Sequence, residues 1–143
     1  MWFFDASSLV KRYLRETGTE QVDEIFEEEG KICVSWLSFA ECLASFARGA
    51  RNKIILAKDQ SVAQERFLED WEKFQIVRET IQLEEIVKII LKTQPLRGAD
   101  AIQLATALFL KEHGLTFKFV CSDRRLANVA REEGLDTLTP GLN

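Results

Sequence analysis

The sequence predicts an α/β protein, a three-layer α/β/α fold with a central, mostly parallel sheet of four or five strands. Three observations predict it. Short apolar runs at Trp2–Phe4, Ile32–Val34 and Phe117–Val120 have the length of buried strands. Amphipathic helical patterns separate them, so strand and helix alternate as in βαβ units. The chain of 143 residues is 46% apolar, enough for one core. No internal repeat or linker divides it, so residues 1–143 read as a single domain.

The elements follow in order. Trp2–Phe4 is a strand that stops at Asp5, and Ser8–Arg15 reads as a short helix. Residues 20–29 place Val22, Ile25 and Phe26 on one helical face and an acidic row on the other, with Gly30 as the stop. Ile32–Val34 is the second strand. Leu37–Arg48 is a helix, and Lys58–Phe74 is a longer one that turns Ala63, Phe67, Trp71 and Phe74 inward. Ile76–Val77 is a brief third strand. Leu83, Ile86, Val87, Ile90 and Leu91 make a helical stripe that Pro95 closes. Ala99–Lys111 is helical and apolar on nearly every side, which marks it as central. Phe117–Val120 is the fourth strand. Leu126, Val129 and Ala130 mark a helix ended by Gly134, and Asp136–Leu138 is a possible fifth, edge strand.

Composition excludes several classes. Three cysteines, Cys33, Cys42 and Cys121, lie in apolar stretches without CxxC spacing, so they read as reduced core residues. One histidine, His113, is a poor basis for a hydrolase triad. No apolar run is long enough to span a membrane. The opening MWFFDASS has no basic run or cleavage site, so a cytoplasmic protein is expected. No glycine-rich phosphate loop is present. The balance of 19 basic against 23 acidic residues, net −4, argues against bulk electrostatic attraction to nucleic acid.

Four acids interrupt apolar sequence: Asp5 after the first strand, Glu41 in the helix after the second, Asp100 opening the central helix, and Asp123 after the fourth strand. Each has a local explanation. Asp5 and Asp123 are possible helix N-caps, Ser38-x-x-Glu41 matches a capping box, and Asp100 suits a helix N-terminus. Together they point further. All four fall near helix starts on the edge of the sheet where the strands end, the usual place for sites in such folds. Four crowded anions repel unless hard cations sit between them, and oxygen ligands suit Mg²⁺ or Mn²⁺. Carboxylate-held divalent ions are a common means of hydrolysing phosphodiesters. A phospho-acceptor receiver domain lacks its lysine here, and a haloacid-dehalogenase-type phosphatase lacks its second aspartate, since Ser7 stands there.

Phe4-Asp5-Ala6-Ser7-Ser8-Leu9, Ser35-x-x-Ser38-x-x-Glu41, Leu96-Arg97-Gly98-Ala99-Asp100-Ala101-Ile102-Gln103-Leu104-Ala105 and Phe119-Val120-Cys121-Ser122-Asp123-Arg124-Arg125-Leu126 resemble, in order and spacing, the motifs of the PIN domain. The likeness is to the VapC-like toxins of type II toxin–antitoxin pairs, and it covers essentially the whole chain. Many relatives carry histidine where Gln103 stands and threonine where Cys121 stands. The resemblance implies a metal-dependent endoribonuclease, often a homodimer, held inactive by a cognate antitoxin. A PIN-like domain of weak activity that binds RNA or protein is the alternative, and a phosphatase or DNA nuclease would use the same acids.

Asp5, Glu41, Asp100 and Asp123 are thus the expected catalytic and metal-binding residues. Asp5 and Asp100 are the expected direct ligands, and Ser7 is expected to hydrogen-bond among them. Arg97, Arg124 and Arg12 are expected to hold RNA phosphates, with Lys11, Arg15, Arg48, Arg51 and Arg125 as further rim cations. Ordinary solvated charge is the competing reading for each, and Arg97 has a second, pairing with a site carboxylate. Trp36, Phe39 and Phe46 either complete the core or present an apolar groove to an antitoxin helix or a second copy.

Overall fold

A computed structural model describes residues 1–78 and 80–142. The elements in chain order are β1 (Trp2–Phe4), α1 (Ala6–Leu9) running into a 3-10 turn (Val10–Arg12), α2 (Thr19–Glu27), β2 (Ile32–Ser35), α3 (Leu37–Arg51), α4 (Ala57–Trp71), β3 (Gln75–Val77), α5 (Ile81–Thr93), α6 (Gly98–Glu112), β4 (Lys118–Val120), α7 (Arg124–Glu132) and β5 (Thr137–Leu138). The strands form one sheet in the order β3-β2-β1-β4-β5, and every pairing is parallel.

The strand period of two explains the layers. Phe3 lies in register with Cys33 and Phe119, and Phe4 with Val34 and Val120. Successive side chains point to opposite faces. The Phe3 row therefore packs with Leu104, Leu110 and Leu126 of α6 and α7. The Phe4 row packs with Leu9, Val22, Cys42, Phe46 and Phe67 from the helices of the other layer. Both faces are covered, which is why these strands read as continuous apolar runs rather than alternating ones. The central helix, α6, buries Ala101, Leu104, Ala105, Ala107 and Leu110, as its apolar composition predicts.

Two expectations need correction, and one open alternative is decided. The helix expected at Ser8–Arg15 begins at Ala6 and tightens after Leu9. Its next carbonyls are taken by side chains from elsewhere: Lys11 O accepts from Thr19 Oγ1 at 3.0 Å, and Arg12 O from Arg66 at 3.2 Å. Ser38 does not cap α3, because the helix starts before it. Ser35 Oγ instead accepts from the backbone N–H of Leu37 at 3.2 Å. Phe46 is fully buried, edge-to-face with Tyr13 and Phe67, and Phe39 is half-buried, tilted against Phe67 and Trp71, so the core reading holds for both. Trp36 alone of the three is exposed, at 43%.

The chain end is pinned beside α2. A Cβ on Gly18, at φ +98°, would lie 2.6 Å from the backbone nitrogen of Gly141, so only glycine fits that approach. Ser122 Oγ donates to Pro140 O at 2.8 Å, joining this segment to the loop after β4. Among the described residues no helix is long and apolar enough to cross a membrane.

Phe67, fully buried at the centre of the aromatic cluster, tests this packing. Phe67→Ala is expected to lower stability in urea by about 3–5 kcal/mol, while Trp36→Ala changes it by well under 1 kcal/mol. Equal effects of the two substitutions would refute the division between core and surface.

Candidate active site

The carboxyl ends of β1, β2 and β4 and the start of α6 converge on one polar cavity of about 300 Å³. Its lining includes Asp5, Ser7, Glu41, Ser45, Arg48, Asp100, Gln103 and Asp123. All four acids singled out in the sequence are therefore brought together. Asp5 leaves β1 and caps α1, its Oδ1 accepting from Ser8 N at 3.1 Å. Asp123 follows β4 and caps α7, accepting from Leu126 N at 2.9 Å. Asp100 sits in the first turn of α6. Glu41 lies on α3, where Ser38, Glu41, Ser45 and Arg48 recur at helical spacing as one polar stripe beside the buried Cys42 and Phe46. For Asp5 and Asp123, capping and lining the cavity are the same placement.

Asp5 is the most deeply set, at 3% exposure. Burial raises its pKa from 3.8 to about 6, although hydrogen bonds from Ser7 and Ser8 pull the other way. Ser7 Oγ lies 2.8 Å from both carboxylate oxygens and accepts from Ser122 N at 3.0 Å. The expected contact of Ser7 is thus present, and it ties the β1 end to the β4 end. Ser8 Oγ, which sequence reasoning passed over, lies 2.9 Å from Asp5 Oδ1. Its signal was the run Asp-x-Ser-Ser, in which a short hydroxyl side chain folds back on the acid that begins the helix. Burial also raises Glu41, with Gln103 lowering it and Asp100 raising it further. Burial and then Asp123 raise Asp100, while Arg97 and Arg125 lower it. Mutual repulsion among the acids is thus present in the structure itself.

The basic residues divide. Arg48 lines the cavity, and Arg97 and Arg125 act electrostatically on Asp100. Arg124 opens α7 next to Asp123 and is exposed. Arg12 is not brought to the cavity. Its Nη1 donates to Asp23 at 2.7 Å, and its guanidinium lies over the Phe26 ring at 4.8 Å. Cys121 is fully buried, and burial pushes its thiol pKa far up, so it stays a neutral core residue beside Asp5. Gln103 is the other residue not counted among the site residues. It is the one amide in the apolar opening of α6, three residues after Asp100 and hence on the same face.

The donor set is one of hard oxygens, with no thiol or imidazole in the lining. Among the described residues no three His, Cys, Asp or Glu side chains stand close enough together to hold a metal ion as a group. Carboxylate oxygens suit Mg²⁺ or Mn²⁺ by chemistry, since these ions bind through one or two carboxylates and keep several waters.

The sheet order, the helices on both faces and the four acids lining one cavity define an α/β domain with an acidic cleft. The sequence profile of the PIN domain matches residues 2–132, and the chain belongs to the PIN domain family. It is 30% identical to Ribonuclease VapC45 of Mycobacterium tuberculosis (strain CDC 1551 / Oshkosh) over 132 residues, 92% of this chain and 90% of that one. Ribonuclease VapC49 of strain ATCC 25618 / H37Rv matches to the same extent. Among solved structures, the FitAcB crystal structure from Neisseria gonorrhoeae superposes with a TM-score of 0.69 at 18% identity, covering 98% of each chain. A toxin–antitoxin complex from Klebsiella pneumoniae gives 0.68 at 16% identity, again covering 98% of each chain. At those identities the structures speak for the fold.

Asp5 gives a pH signature. Its folded pKa lies above the unfolded 3.8, so its ionisation opposes folding. The cost is absent below pH 3.8, grows between 3.8 and about 6, and is complete above that, at about 3 kcal/mol. In EDTA, Asp5→Asn keeps the cap and is expected to be more stable than the parent at pH 7. That advantage should shrink toward zero at pH 4 in urea titrations. A variant no more stable than the parent at pH 7 would show that the buried carboxylate carries no such cost.

Proposed function

We propose that the protein is a metal-dependent endoribonuclease that hydrolyses RNA phosphodiester bonds, using Mg²⁺ or Mn²⁺, and acts as the toxin of a type II toxin–antitoxin pair in the cytoplasm. The carrying observation is the convergence of Asp5, Glu41, Asp100 and Asp123, from four separate elements, on one cavity where burial raises three of them. A module that only bound RNA would gain nothing from such a repulsive set. The VapC ribonucleases that the chain resembles over 92% of its length support the choice of RNA.

The chain's own residues divide the work. Asp5 and Asp100 are the proposed direct ligands, and Glu41 and Asp123 serve a second ion or act through water. Ser7 and Ser8 fix the Asp5 carboxylate. When bound, the divalent ion supplies positive charge against the scissile phosphate and acidifies the attacking water. Arg97 and Arg124, joined by Arg48 and Arg125, hold the RNA backbone at the rim. Arg12, committed to Asp23, contributes to folding instead.

Defined RNAs incubated with Mg²⁺ or Mn²⁺ test this reading. Cleavage should vanish in EDTA, and Asp100→Asn should lose about a hundredfold or more in rate while its fold persists. Undiminished cleavage by the folded variant, or in EDTA, would exclude the assignment.

The proposed protein partners are a cognate antitoxin and a second copy of the chain. Exposed apolar side chains offer surface for both: Ile81, Ile89 and Leu91 on α5, and Ile54, Leu56 and Val62 on and before α4. Light scattering of the isolated protein should report twice the chain mass of 16.4 kDa. A mass of 16.4 kDa at all concentrations would rule out the homodimer.

A further inference from the structure

Gln103 is 2% exposed and lies within the most apolar helix of the chain. Its Nε2 lies 2.9 Å from Ser38 Oγ and 2.9 Å from Glu41 Oε1. The amide orientation follows from chemistry. An ionised carboxylate only accepts, so the atom facing Glu41 is the NH₂ group. That leaves Gln103 Oε1 buried with no hydrogen-bond partner. An orphaned buried carbonyl opposes folding, and leucine or methionine would fill the same space without it. The bond to the buried Ser38 hydroxyl offsets part of that cost but does not require the amide to reach the cavity. The bond to Glu41 does. It crosses from α6, which carries Asp100, to Glu41 on α3, and so ties one acid to the helix that carries another.

We propose that Gln103 is the positioning residue of the site: its Nε2 fixes the Glu41 carboxylate in one orientation relative to Asp100, setting the spacing in which a divalent ion is held. Gln103 acts on the ion only through Glu41. This rests on the metal-dependent reading above. It explains why an amide stands three residues after Asp100, and why Ser38, displaced from the capping role, is buried beneath it.

The test is calorimetric titration of Mn²⁺ into the 143-residue chain, without RNA. Gln103→Met should weaken Mn²⁺ affinity about tenfold, the usual scale for losing a group that orients a metal ligand. Its thermal midpoint should stay close to that of the parent, since losing the orphaned carbonyl offsets the Ser38 hydroxyl left without its donor. Gln103→Asn withdraws the donor by one methylene and should weaken binding similarly, so it provides the readout if the methionine variant does not fold. In a Glu41→Gln background, adding Gln103→Met should cause no further loss. Parental affinity in the folded Gln103 variants, or a full tenfold loss in the Glu41→Gln background, would overturn the positioning role alone. Absence of Mn²⁺ binding by the parent protein would overturn the metal reading and this inference with it.

Discussion

A carboxylate almost sealed from water at the end of the central strand constrains everything around it. β1 pairs with β2 on one side and β4 on the other, so Asp5 leaves the sheet at its middle. Burying that charge is costly, and the surroundings are arranged to lower the cost: two serine hydroxyls, the Ser8 amide and the start of α1. Ser7 cannot serve Asp5 without also fixing the β4 exit, because its oxygen accepts from Ser122. Ser122 in turn holds Pro140, near the glycine pair that joins the chain end to α2. One buried anion thereby organises the loops that carry two of the four acids.

The local and the functional readings of the acids are compatible for a physical reason. A helix start offers unpaired N–H groups and the positive end of a dipole, so it is a cheap place to keep a carboxylate. Parallel strands followed by helices put several such starts on one edge. Asp5 and Asp123 exploit this directly, and Asp100 sits one turn into α6. The helix ends accommodate each anion singly. They do not remove the repulsion that Asp100 exerts on Glu41 and Asp123 on Asp100, which adds to burial in raising Glu41 and Asp100. What remains uncompensated is negative charge between the side chains, and neutralising it is the role assigned to the divalent ion.

Much of this was legible in the sequence because it is written in local patterns. Strand-length apolar runs and helical stripes gave the sheet and both layers, and acids that interrupt apolar sequence stood out against it. What was not legible depends on contacts distant in sequence. Arg12 stands close to Asp5 along the chain, yet Asp23 and Phe26, set by the packing of α2, claim its guanidinium. The first helix does not run on past Arg12, where Thr19 and Arg66 take the last carbonyls. Phe46 carries no mark that separates a core aromatic from a docking one, since the period is the same and only α4 decides. Gln103 was visible as a polar residue in an apolar helix, but its partner lies 62 residues earlier.

The net charge of −4 looked at first like an argument against a nucleic-acid substrate. Setting the four cavity acids aside leaves 19 acidic against 19 basic residues, so the excess equals the site complement in number. The acidic row of α2 is accounted for separately, as a largely exposed helix face opposite Val22 and Ile25. Around the cavity the balance differs from the average, with Arg48 in the lining and Arg97 and Arg125 acting on Asp100. A chain built this way cannot hold RNA by diffuse attraction. It would meet the backbone with a few rim arginines and a cation-loaded cleft, so that affinity and catalysis both depend on charge the polypeptide does not itself carry.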